Sequence, residues 1–224
     1  MIEANQIKEI ATSLETDLCG IAPVERFSNA PAGFRPSDIY PDVKSVVVFA
    51  KRFPEGVFFS KSYVPYTFAC DTILRDVFRI TCELTMRLQD LNITAVPIPS
   101  EPYEYWDEEK REGKGILSLK HAGYLAGLGV LGKNTLLMND SLGNMITLGA
   151  VLVNIELEGD PVAQYKTCSE KCQLCIESCP AKALDGTKVE QKLCRQRSNF
   201  VTKKGYALYT CNICRSVCPK RGGT

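Results

Sequence analysis

A single histidine, His121, and a single tryptophan stand in a chain of 224 residues. One imidazole cannot furnish a histidine-rich metal site, so any larger ligand set must come from another residue type. Long apolar stretches are missing as well. No run approaches the roughly 20 residues of a membrane span, and residues 2–14 are amphipathic, without the apolar core of a secretory signal. A cytoplasmic protein with no membrane partner is therefore expected. Net charge is also nearly absent, at +1. The balance is uneven, however: residues 180–224 hold ten Lys or Arg against two acidic residues, a local +8, which leaves −7 on the first 179. Such a basic tail suits docking of an acidic electron donor such as flavodoxin or ferredoxin, or offsets buried negative charge.

Cysteine is what the chain has in quantity, with eleven, eight of them in the last quarter. Cys168, Cys172, Cys175 and Cys179-Pro180 form one run, Cys211, Cys214 and Cys218-Pro219 a second, and Cys194 stands between them. C-x2-C-x3-C-P spacing is the signature of bacterial-type ferredoxins, in which each run wraps one cubane and lends its last cysteine to the other. Two 4Fe-4S clusters follow. Cys168, Cys172, Cys175 and Cys218 would hold cluster one, and Cys179, Cys194, Cys211 and Cys214 cluster two. The Cys168-x3-Cys172 interval is one residue longer than usual, so a bulge is expected there. Zinc also takes C-x2-C knuckles, but has no use for a third cysteine three residues on followed by proline.

Before residue 160 the pattern alternates between helical and extended. Helices are expected over 5–14, 71–91 and 117–128, the longest carrying a stripe of Ile73, Leu74, Val77, Ile80, Leu84 and Leu88. Strands are expected over 18–24, 45–50, 93–98 and 146–155, the second buried on both faces because Val46 to Phe49 is unbroken. The fold class is α/β (α+β), helices on a small sheet, with domains at 1–160 and 161–224. Residues 126–137 read Ala-Gly-Leu-Gly-Val-Leu-Gly-Lys-Asn-Thr-Leu-Leu. These glycines follow a helix rather than a strand, which argues against a dinucleotide fingerprint. A tight corner with a solvated lysine is the plain alternative to a cofactor turn.

With the strand at 45–50 after Pro41, the turn at 126–137, Gly143, Leu148-Gly149 and the two-run module with its lone Cys194, the chain resembles the epoxyqueuosine reductase family from about residue 40 to 219. The resemblance is to a short member without the C-terminal helical-repeat domain that grips tRNA. It implies an N-terminal domain related in fold to flavin nitroreductases and cobalamin-processing proteins, holding cobalamin beside a double 4Fe-4S module. It also implies that electrons pass through the clusters to cobalt, which drives reduction of an epoxide on a tRNA base. Gly129, Gly132, Lys133, Asn134 and Thr135 are the cofactor-binding residues expected on this footing, with flavin or no second cofactor as alternatives to cobalamin.

This chain departs from the family after the strand at 93–98. Pro97-Ile-Pro-Ser-Glu-Pro102 has no aspartate where the family places its catalytic one, leaving Glu101, Glu104 and Asp107 nearby. No catalytic residue is assigned, and tRNA is not expected as a partner. The alternative function is a ferredoxin-like carrier that docks a partner and has no catalytic cofactor. Of the remaining residues, His121 reads as a hydrogen-bonded structural group ahead of a cobalt ligand, and Cys82 as core. Cys70, beside Asp71 at the expected helix start, reads as a low-pKa thiol. Tyr63, Tyr66 and Phe68 line a cavity or pack under the sheet.

Overall fold

Ser45, Val46, Val47, Val48, Phe49 and Ala50 are all completely buried. Their side chains alternate between two cores, because successive residues of a strand point to opposite faces of the sheet. Val46, Val48 and Ala50 join Leu148, Ala150 and Leu152 on one face. Val47 and Phe49 join Val151 and Val153 on the other. The computed structural model describes residues 2–101 and 103–223.

In chain order the elements are α1 (Ala4–Ser13), β1 (Leu18–Pro23), α2 (Pro36–Ile39), β2 (Ser45–Arg52), α3 (Tyr63–Asp90), β3 (Ala95–Ile98), β4 (Tyr105–Asp107), β5 (Glu112–Lys114), α4 (Leu119–Leu125), β6 (Val130–Leu131), β7 (Leu137–Met138), β8 (Ile146–Val153), α5 (Leu174–Glu177), α6 (Gln191–Ser198), β9 (Asn199–Val201), β10 (Ala207–Tyr209) and α7 (Ile213–Ser216). The main sheet has the order β1-β2-β8-β3. Its three pairings are antiparallel, with Val48 opposite both Gly20 and Ala150. Edge position explains Pro97, which sits in β3 and supplies no N–H to the ladder.

Helices cover both faces. Ile7, Ala11 and Leu14 of the α1 region and Val77, Ile80, Leu84 and Leu88 of α3 fill one core, while Ala122 and Ala126 of the α4 region fill the other. Each fully buried Val, Ile, Leu or Phe contributes about 1.5–3 kcal/mol of transfer free energy. The mixed α/β layer read from periodicity is borne out. The long helix is not where the stripe placed it: α3 begins at Tyr63, not 71, because Ser62 Oγ accepts from the Val64 N–H at 3.2 Å and Pro65 is tolerated in a first turn whose N–H groups lack partners anyway.

Candidate redox site

The two cysteine runs fold the same way. In the first, Ile176 and Glu177 N–H donate to Gln173 O, Ser178 to Leu174 O, Cys179 to Ile176 O and Lys182 to Cys179 O. In the second, Arg215 and Ser216 N–H donate to Asn212 O, Val217 to Ile213 O, Cys218 to Arg215 O and Arg221 to Cys218 O. Each bond of one run has its counterpart 39 residues later. The single-turn helices α5 and α7 that result pack against each other, which brings sequence-distant thiols together.

Those thiols sort into two sets by electrostatic proximity. Cys175 lies within reach of Cys168, Cys172 and Cys218, and Cys218 within reach of Cys168 and Cys172. Cys194 is near Cys211 and Cys179, and Cys214 near Cys211 and Cys194; Cys214 also lies within electrostatic reach of Cys175 in the other set. Burial pushes these four thiols up, Cys214 to about 11, and their neighbours' negative charge adds to the effect. All eleven cysteines are free thiols. Among the described residues no group of three or more His, Cys, Asp or Glu is gathered as for a single metal ion. A cubane asks for something different, one thiolate on each of four irons. Two sets of four around a repeated backbone fit that demand.

Residues 126–137 form a corner followed by a hairpin. Helix α4 ends because Gly127 adopts φ +76°, and a side chain there would collide with Pro161 O. Gly129 and Gly132 pack against Met138 across the β6–β7 hairpin. Lys133 is not solvated as a plain corner would leave it. Its Nζ donates to the carbonyls of Ser169, Glu170 and Cys172 at 3.3, 2.8 and 2.9 Å. Asn134 is buried, and its Nδ2 reaches Cys214 O at 3.4 Å. Thr135, at φ +63°, accepts from Lys120 Nζ through its carbonyl at 3.1 Å. The side chains of Lys133 and Asn134 thus meet the cysteine runs, one each.

Beside this turn opens a cleft of about 410 Å³ lined by Ser100, Tyr103, Leu119, Lys120, Leu136, Leu137, Asn144, Ile146, Thr147, Leu148 and Arg215. None of the five turn residues expected to bind a cofactor lines it. Four buried side-chain polar atoms lack a partner among the described residues, and two of them, Ser100 Oγ and Asn144 Oδ1, belong to this cleft. Orphaned buried polar atoms are rare and mark a place where a ligand group belongs. Arg215, next to Cys214, donates to Asn144 O and lies 5.3 Å over the Phe53 ring, so α7 reaches directly from the second cysteine run to the cleft wall. Burial lowers the pKa of Lys120.

Sequence reasoning missed Ser100, Lys120, Asn144 and Arg215 as a group, since they come from four separated segments with no shared spacing. None of the acids near the family's aspartate position lines the cleft; Asp107 pairs with Lys110 at 3.2 Å. Pro102 lies outside the described residues. Cys82 is exposed, not core, because the buried stripe of α3 runs through Ile80, Thr81, Leu84 and Thr85 and leaves it on the opposite face. Cys70 stands two turns inside α3 and burial raises its pKa, the reverse of an activated thiol at a helix start. Tyr66 is buried against Phe53 and Phe58, while Tyr63 and Phe68 are exposed. His121 Nδ1 lies 2.7 Å from Ser118 Oγ at the start of α4, the structural role.

No family model matches the chain. The epoxyqueuosine reductase of Staphylococcus aureus (strain NCTC 8325 / PS 47) is 35% identical over 123 residues, 49% of this chain and 31% of that protein. The match therefore spans about a third of the relative's length. Among solved structures, an epoxyqueuosine reductase with a tRNA-Tyr epoxyqueuosine-modified stem loop has a TM-score of 0.66 at 18% identity, covering 98% of this chain and 65% of that one. A reductive dehalogenase whose structure suggests a mechanism for B12-dependent dehalogenation has a TM-score of 0.69 at 17% identity, covering 96% and 31%. The second and third likenesses establish the fold, a mixed α/β arrangement with small antiparallel sheets. The expectation that tRNA is no partner is overturned: a reductase solved with a tRNA stem loop has this fold across nearly the whole chain. Among the described residues no helix is long and apolar enough to cross a membrane. The resemblance to the epoxyqueuosine reductase family, first visible in the cysteine runs and the turn at 126–137, holds in both sequence and fold.

Proposed function

We propose that this chain is an iron-sulfur oxidoreductase of the epoxyqueuosine reductase type, with a cofactor domain at 1–160 and a two-cluster module at 161–224, working in the cytoplasm. The observation that carries the reading is the sorting of eight cysteines into two interleaved sets of four on a repeated backbone. Cluster one belongs to Cys168, Cys172, Cys175 and Cys218, and cluster two to Cys179, Cys194, Cys211 and Cys214. Cobalamin is the cofactor that the likeness to a B12-dependent fold supports; the cleft of about 410 Å³ is too small to enclose it whole and would take one part of it. When bound, the clusters supply single electrons, and the corrinoid supplies a strongly reducing metal centre.

The chain's own residues then have definite tasks. Asn144 Oδ1 would accept a hydrogen bond from the group in the cleft, and Ser100 Oγ would accept one from it or donate one to it, which would end their orphaned state. Arg215 holds the cleft wall to the loop of cluster two through Asn144 O. Lys120 Nζ, anchored on Thr135 O, puts an N–H donor at the cleft wall, which no carboxylate lines among the described residues. The substrate class is an epoxide-bearing tRNA base, as the name and bound stem loop of the fold neighbour suggest.

Anaerobic protein mixed with cobalamin should give a corrinoid spectrum that changes when the clusters are reduced. With a reduced flavodoxin or ferredoxin and tRNA-Tyr carrying epoxyqueuosine, the epoxide should be lost. Absence of corrinoid binding at high micromolar concentration overturns the cofactor assignment. Binding without turnover of the tRNA overturns the substrate alone.

A further inference from the structure

The first cysteine run contains one residue more than the ferredoxin spacing allows: Cys168 and Cys172 are separated by Ser169, Glu170 and Lys171, where a C-x2-C-x2-C-x3-C-P run has two residues. An extra residue lengthens the arc between two ligands of one cluster and adds a carbonyl and an N–H that the shorter loop does not contain. The structure shows where this loop's carbonyls go. Those of Ser169, Glu170 and Cys172 converge on one atom, Lys133 Nζ, at 3.3, 2.8 and 2.9 Å. An ammonium has three protons and no more, so this site is saturated by one loop.

The same residue grips the loop a second time. The Lys133 N–H points at Cys168 Sγ, 3.5 Å away. Lys133 is itself fixed, because it sits in a tight turn in which the Gly132 N–H donates to Leu136 O at 3.0 Å and the Thr135 N–H to Gly132 O at 2.8 Å. From the same turn the second run receives the neutral amide of Asn134, at Cys214 O. The turn thus sets a cation with three partners at the lengthened loop of the first run, and one amide at the second run.

We infer that Lys133 is a positioning residue for cluster one: its ammonium gathers the carbonyls of the lengthened Cys168–Cys172 loop and its backbone N–H holds Cys168 Sγ, so that Cys168 serves as a ligand despite the extra residue. This rests on the two-cluster reading above. Hydrogen bonds from a charged donor are worth more than neutral ones, and net charge and hydrogen bonds near the sulfurs set a cluster's potential. Lys133 therefore makes cluster one both easier to assemble and easier to reduce.

The test compares anaerobically purified full chain, Lys133→Met, and Lys133→Met with Glu170 deleted, which restores the ordinary spacing. Iron, acid-labile sulfide and the paramagnetic signals of the reduced clusters are read on each, together with circular dichroism to confirm the α/β layer. Wild type should hold about eight iron, as two cubanes require. Lys133→Met should fall to about half of that with only the cluster-one signal gone, and the deletion should bring both back. If Lys133→Met does not accumulate, Lys133→Gln should lose cluster-one iron to a chelator about tenfold faster than wild type, the factor that a loss near 1.4 kcal/mol represents, and its cluster-one potential should be more negative. Full iron and two unchanged signals in Lys133→Met, loss of both clusters together, or failure of the deletion to restore cluster one would each overturn the role given to Lys133. Wild-type protein without iron and sulfide would instead sink the cluster reading itself, whatever Lys133 does.

Discussion

The α/β layer and the cysteine segment are ordered by different means. Every residue of β2 from Ser45 to Ala50 is buried, and α1, α3, α4 and four strands contribute to two continuous cores. From residue 161 onward, among the described residues, only Cys175, Ala183 and Leu184 are buried hydrophobics, and α6 has no buried residue. Three apolar side chains cannot offset the conformational entropy of some sixty residues, at about 1–2 kcal/mol for each backbone fixed. Small domains short of core use metal or disulfides instead. On the proposed function, ligation by the two cysteine sets supplies the order that burial does not.

Removing iron is the harshest way to test that contrast. Chelation should unfold the segment from residue 161, seen as rapid proteolysis there, while the sheet of residues 18–153 keeps its amide-exchange protection. Uniform loss of protection in both regions would mean that the two are one cooperative unit. Cutting a single ligand is the next largest perturbation. Cys218→Ala should abolish the cluster of Cys168, Cys172 and Cys175, and Cys179→Ala the one of Cys194, Cys211 and Cys214, each halving the iron. Loss of the sequence-adjacent cluster in either variant would show that ligation is not crossed.

A core substitution should do the opposite of chelation. Ile80, completely buried against the sheet, is the place for it. Ile80→Ala should cost about 2–5 kcal/mol of the layer's stability, with iron content per folded chain unchanged. At the cleft, where the two regions meet through Arg215, Asn144→Ala should weaken corrinoid binding about tenfold, the value of one hydrogen bond near 1.4 kcal/mol, and leave the cluster signals alone. Smallest of all is a pH effect. Partial desolvation of the ring, and then the charge of Lys120, hold His121 below its ordinary 6.5 although the residue is solvent-accessible. Between that lowered value and 6.5 the unfolded chain binds the proton first, so stability falls as pH drops through the window. In His121→Gln that part of the stability-pH slope should flatten.

Legibility in the sequence followed the same division. The strands were readable because a sheet covered on both faces demands unbroken apolar runs, which Val46 to Phe49 and residues 148–153 supply. The cysteine sets were legible as candidates because ligation imposes spacing. What escaped was assembled from distant parts. Asn144 and Ser100 have no local signature, and their significance appears only as polar atoms left without partners in a shared cleft. Lys133 drew notice as part of a glycine-rich turn, yet its partners lie 36 to 39 residues away in a loop whose extra length was read as a bulge. The first turns of α3 were hidden because Tyr63, Val64 and Phe68 are exposed there and break the apolar stripe.

Iron and acid-labile sulfide analysis of anaerobically purified chain, with the spectrum of the reduced protein, tests the central claim most directly. About eight iron and eight sulfide per chain, with two paramagnetic centres, is the result two cubane clusters predict. Stoichiometric zinc without acid-labile sulfide would contradict the account.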